Sequence, residues 1–160
     1  MDQMSSESQK LSMERNIEEM YHNSLEWQSE VSLWKQELKF FQKMLDTYTG
    51  KCLSVEQKQR LSHLQNLLIY YDGELLDQFK QQSRRHAKYL AHHMEEDSLD
   101  QNEYQQKFGG MSGHLSAFAS EYRRYKKDFF TLMETLIDQS MAEQQKMNMA
   151  DSGYAPEMDH

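Results

Sequence analysis

The chain has 160 residues, 26 acidic against 18 basic for a net charge of −8, and 38% apolar residues. That length suits one domain, and six glycines with a single proline are too few for the many turns of a β-sandwich or of alternating strand and helix units. The acidic balance disfavours general attraction to nucleic acid, the lone Cys52 excludes an internal disulfide, and the longest apolar run, Leu67 to Tyr71, is far short of the ~20 residues that cross a bilayer.

Residues 1–6 read as a frayed start, without the basic run and apolar core of an export signal, so the expected location is cytoplasmic. The first helix follows, from about Ser8 to Thr49. Met13, Ile17, Met20, Ser24, Trp27, Val31, Trp34, Leu38, Phe41, Leu45 and Tyr48 recur by alternating threes and fours, the spacing of a helix that keeps one seam against its partners. Only Ser24 is polar. Gly50 suits a left-handed helix stop, and Ser54-Val55-Glu56-Gln57 has the pattern of a capping box that opens the next helix.

The second helix carries Leu61, Leu64, Leu68, Tyr71, Leu75, Phe79, Gln82, His86, Tyr89 and His93 on its seam. Two successive fours, Tyr71 to Leu75 to Phe79, form a stutter that locally relaxes a supercoil. Beyond it the seam turns polar. Ser98-Leu99-Asp100-Gln101 predicts a second capping box, and a third helix to about Ala142 carries Phe108, Met111, Leu115, Phe118, Tyr122, Tyr125, Phe129, Leu132 and Leu136. Gly109, Gly110 and Gly113 weaken that helix and predict a kink or break. Residues 147–160, with Pro156, read as a flexible tail.

The expected fold is therefore all-α, a long antiparallel three-helix bundle over residues 7–146, coiled-coil-like and up-down-up. Folding the helices about turns near Lys51 and Asp97 stacks Val31 and Trp34 with Leu68, Tyr71, Tyr122 and Tyr125 at the centre. Buried tyrosine hydroxyls there need partners, for which Glu30, Glu37, Asp72 and Arg123 lie in reach. Toward the second turn, Ser24 meets Phe79 and Leu115, Met20 and Tyr21 meet Gln82 and Ser112, and Ile17 meets His86 and Phe108.

That end is the candidate site. Ser24, Gln82 and His86 face small glycines, with His22 and His114 on neighbouring faces, which reads either as a small-ligand or metal pocket or as a loosely packed, hydrated end. Glu19 and His22 have the Glu-x-x-His spacing of di-iron bundles, but only one such motif occurs where two are needed, and no metal or other cofactor is assigned. His92 to Asp97 is rich in ligand types, yet successive residues point about 100° apart on a helix. Cys52 lies in a loop with His63 its nearest histidine in sequence, about three helical turns off, so no catalytic residue is assigned. The basic clusters at 84–88 and 123–127 read as solvated faces. Leu33, Phe40, Met44, Leu67 and Tyr70 widen the apolar stripe beyond the seam, as a three-helix core with some surplus for a partner would.

The segments Trp27-Gln28-Ser29-Glu30-Val31, Trp34 to Phe41 and Ser62 to Leu68 resemble an uncharacterised family of short helical bacterial proteins of unknown function, over about residues 15–140. The resemblance implies a three-helix protein and transfers no activity. The expected function is a non-enzymatic interaction or scaffold module with a protein partner or self-association. The alternative is a ligand- or metal-binding bundle using Ser24, Gln82, His86, His114 and His22.

Overall fold

The computed structural model describes residues 2–51, 53–96 and 98–153, which leaves Cys52, Asp97 and residues 154–160, Pro156 included, outside the described residues. Regular structure among the described residues is helical throughout, as the all-α expectation requires. It comprises α1 (Asp2–Tyr48), α2 (Val55–Tyr70), a π-helical turn (Tyr71–Leu75), α3 (Leu76–Glu96), α4 (Gln101–Phe108) and α5 (Met111–Ser152).

The stops and starts follow from local chemistry. Gly50 takes φ +85°, the left-handed turn that ends α1. Ser54 closes the expected capping box: its hydroxyl accepts from the Gln57 amide at 3.1 Å, and its own amide donates to Gln57 Oε1 at 3.1 Å. The second box forms differently. Asp100, not Ser98, caps α4, its carboxylate accepting from the amides of Asn102 and Glu103 at 3.0 and 3.4 Å, while the Ser98 carbonyl is engaged by His93 Nδ1.

The expected third helix breaks between α4 and α5, where Gly110 adopts φ +86°. At the outer ends the helices run further than the sequence suggested. Asp2 to Ser6 belong to α1 and Met147 to Ser152 belong to α5. Gln3 and Met4 in the first stretch and Met147, Met149 and Ala150 in the second are good helix formers, and a helix already nucleated by packing extends through the weaker Asp, Ser and Asn between them.

Side-chain contacts fix the mutual directions. Between α1 and the α2–α3 rod, Gln42 meets Gln65, Lys35 meets Asp77 at 2.5 Å and Gln28 meets the Ser83 carbonyl, so one number falls as the other rises. Between α1 and α5 they rise together: Trp34 packs on Phe118, Glu37 accepts from Tyr122, and Phe41 packs on Phe129.

The core is aromatic at its centre. Tyr71, Phe118, Tyr122 and Tyr125 interlock with ring centroids 5.3 to 6.3 Å apart, and Trp34 closes on Phe118 and Tyr122. These three tyrosine hydroxyls are satisfied: Tyr122 donates to Glu37 at 3.1 Å, Tyr71 to Glu121 at 3.0 Å and Tyr125 to the Leu64 carbonyl at 3.1 Å. Of the expected partners only Glu37 serves. Asp72 instead faces Lys35. Burial and the neighbouring carboxylates push the phenols of Tyr71 and Tyr122 well above their ordinary range, so both remain donors.

Candidate functional site

His86 organises the polar end of the bundle. Along the rod, Leu68, Tyr71, Leu76, Phe79, Ser83, His86 and Leu90 are buried, stepping by three, five, three, four, three and four. One extra residue in the turn moves the seam from the expected Leu75, Gln82 and Tyr89 to Leu76, Ser83 and Leu90, while Phe79 and His86 stay on it.

The imidazole is enclosed by rings from two other helices, α1 and α4. Trp27 of α1 stacks on it at 5.4 Å, Phe108 of α4 lies 4.7 Å away, and the Tyr104 hydroxyl is 2.8 Å from Nε2. Its Nδ1 is buried without a hydrogen-bond partner. Burial lowers the pKa from the ordinary 6.5 to about 4, because a charged imidazole has little solvation there. His86 is thus a neutral packing group at pH 7, and α4 is its lid.

The five residues singled out in the sequence do not share one site. Ser24 and His86 are buried, whereas Gln82, His22 and His114 are exposed. Gln82 is displaced by the π turn. His22 and His114 lie off the seam, as their heptad positions already indicated. The hydroxyl of Ser24 bonds to the Tyr21 carbonyl at 2.6 Å, and that of Ser83, which occupies the place expected for Gln82, bonds to the Lys80 carbonyl at 3.0 Å. Hydroxyls spent on their own helix are poor nucleophiles and poor ligands. Among the described residues no group of three or more His, Cys, Asp or Glu side chains converges to hold a metal.

Of the layer pairings, His86 with Phe108 is present, but Trp27 rather than Ile17 stacks on the imidazole. Tyr104 was missed. Its signal was present, because Tyr104 stands four before Phe108 and so shares its helical face.

Gln82 lines an outer cleft instead. Gln82, Arg85 and Tyr89 of α3 with Lys107 and Phe108 of α4 enclose about 440 Å³. The Tyr89 and Phe108 rings are 5.4 Å apart, and Lys107 Nζ sits 5.2 Å over Tyr89 and 2.9 Å from Glu103.

A second surface feature lies between α1 and α5. Leu33 (54% exposed), Phe40 (58%) and Phe130 (54%) are uncovered, and Phe41 touches both Phe40 and Phe130 with centroids 6.4 and 5.6 Å apart. Leu33, Glu37, Phe40 and Met44 follow at i, i+4, i+7 and i+11, one face of α1. Glu37 bridges to α5 through Tyr122 and through Lys126 at 3.2 Å. Arg123 and Lys127, both exposed, precede Phe130 by seven and three residues and share its face of α5. Met44 and Leu67 are half-buried against the core, so of the expected surplus Leu33, Phe40 and Tyr70 stay exposed, joined by Ile69 and Phe130, which were not among those expected.

No described helix is long and apolar enough to cross a membrane. Compared with protein-family models, with curated proteins and with solved structures, the chain matches none.

Proposed function

We propose that the chain is a cytoplasmic, non-enzymatic interaction module, an up-down-up coiled-coil-like bundle that receives an acidic amphipathic helix of a protein partner on the face between α1 and α5. The observation that carries this reading is the exposed pair Phe40 and Phe130 joined through Phe41. Single exposed apolar residues are ordinary, but a contiguous aromatic patch with apolar residues at helical spacing is the form of a helix-receiving groove. Charge selects the occupant. In a chain of net −8, this face is bordered by Arg123 and Lys127 before Phe130 and by Glu134 one turn after it, so its basic end suits an apolar helix edged with Asp and Glu. The resemblance to uncharacterised bacterial helical proteins adds no activity, and the sealed His86 with its self-bonded serine neighbours supports a role without catalysis.

The test pairs wild type with Phe40→Glu and Lys127→Glu in co-purification followed by cross-linking and mass spectrometry. A partner lost by both variants and cross-linked through an acidic amphipathic segment is the expected result. Light scattering that shows a dimer abolished by Phe40→Glu would replace the foreign partner by a second copy. Partners retained by both variants would remove this face from consideration.

A further inference from the structure

We propose that the cleft between α3 and α4 is a binding site for a planar aromatic anion, with an aromatic carboxylate as the simplest member of the class. Its size comes first. About 440 Å³ lies within the ~300–1,000 Å³ of small-ligand pockets, and one or two fused rings fit inside it.

The walls are selective. Tyr89 and Phe108 meet at 5.4 Å with planes inclined by 58°; Lys107 Nζ lies over the Tyr89 ring and His93 packs on it at 4.3 Å, so the half-buried Phe108 is the main wall on which a flat ring can stack. Phe108 cannot easily swing away, because its ring also packs on buried His86 at 4.7 Å and on Tyr104 at 5.6 Å. That backing makes the wall a preformed surface.

Charge sets the sign of the ligand. Arg85 comes from α3 and Lys107 from α4, so the cleft joins two cations that are distant in sequence. Lys107 is partly neutralised by Glu103, but among the described residues Arg85 has no carboxylate within ion-pair distance. A guanidinium fork matches the two oxygens of a carboxylate, and the Gln82 amide adds a further donor at the rim. Cationic ligands are repelled by this pair. A free phosphate would use the cations and leave the Phe108 wall bare, forgoing its contact area.

Of the basic run Arg84-Arg85-His86-Ala87-Lys88, Arg85 lines this cleft, while His86 next to it is buried in the bundle.

The experiment titrates the folded full-length chain with 2-naphthoate, following backbone amide shifts by NMR, with 2-naphthalenemethanol as the neutral analogue and inorganic phosphate as the ring-free one. The expected result is saturable single-site binding of 2-naphthoate that moves the amides of Gln82, Arg85 and Lys107. Loss of a hydrogen bond to a charged group predicts about tenfold weaker binding or more for Arg85→Gln and for the neutral analogue.

Gln82→Trp, at an exposed position, fills the cleft and abolishes binding, whereas Phe40→Ser on the far face leaves it unchanged. Non-saturating shifts, equal affinity for the alcohol, phosphate binding as tight as naphthoate, or full affinity in Arg85→Gln would each overturn the proposal. So would loss of binding in Phe40→Ser, which would place the ligand between α1 and α5. Circular dichroism on each variant separates loss of binding from loss of fold.

Discussion

Trp27 of α1 lies flat against His86 of α3, their ring centroids 5.4 Å apart and their planes 24° from parallel. The contact brings a titratable group into the packed end of the bundle, so it has a pH signature. In the folded chain the imidazole takes its proton only near pH 4, whereas an unfolded histidine takes it near the ordinary 6.5. Between those values the unfolded chain binds more protons, and stability falls as the pH falls. The contribution is complete above about pH 6.5 and lost progressively toward pH 4, about 3 kcal/mol in all. Chemical denaturation at a series of pH values should show this slope in wild type and a shallower one in His86→Leu. Parallel slopes would mean that His86 is solvated in the folded chain.

The π turn makes a prediction that a regular helix would not. The buried positions step by five across Tyr71 to Leu76, so removing one residue from that turn restores a step of four and leaves Leu76, Phe79, Ser83, His86 and Leu90 on the seam. Deleting Gly73, which is exposed and whose surroundings are open, should leave stability within about 1 kcal/mol of wild type. Deleting Lys80 should instead rotate everything beyond it by about 100° and cost several kcal/mol. Thermal melts followed by circular dichroism distinguish the two. Equal losses would show that the extra residue in the turn is needed for more than register.

Two glycines of the α4–α5 junction should respond with opposite signs to the same substitution. Gly113 lies inside α5 with open space where a Cβ would stand, so Gly113→Ala should stabilise by about 0.5–1 kcal/mol. Gly110 holds φ +86°, where a Cβ is strained, and Gly110→Ala should cost about 1–2 kcal/mol. The spread between the two midpoints in denaturant is the measurement. A stabilised Gly110→Ala would mean that the junction relaxes into continuous helix.

Much of this architecture is legible in the sequence because it depends on local chemistry. Gly50, the Ser54–Gln57 box and the alternating threes and fours of α1 and α5 each carry their cause within a few residues. Register across the rod does not. The stutter from Tyr71 to Phe79 marks a disturbance, but whether it is absorbed by gentle unwinding or by one extra residue in a single turn depends on how Leu76 fits the assembled core. That choice moves Gln82 from the seam to the surface and puts Ser83 in its place. The cap of α4 is a similar case. Ser98 and Asp100 are both good caps, and Asp100 is the one whose carboxylate reaches the amides of Asn102 and Glu103. The placing of Phe108 over His86 follows from the fold-back at the second turn, and the four-residue spacing from Tyr104 to Phe108 puts the second lid residue on the same face.

Phe129 and Phe130 are chain neighbours with opposite surroundings, and comparing them separates what holds the fold from what is left over. Phe129 is buried, with its ring 4.3 Å from Phe41 and stacked along Tyr125. Phe129→Ala removes that packing and leaves a cavity among residues that cannot all relax, at a cost of about 3–5 kcal/mol. Phe130 is 54% exposed, and its ring contacts among the described residues are an edge-on one to Phe41 and one to its own neighbour. Phe130→Ala should change stability by no more than about 1 kcal/mol. Urea denaturation of both variants measures the contrast. A large loss from Phe130→Ala would make that ring part of the core, and the face between α1 and α5 would then keep Phe40 alone in place of the aromatic pair.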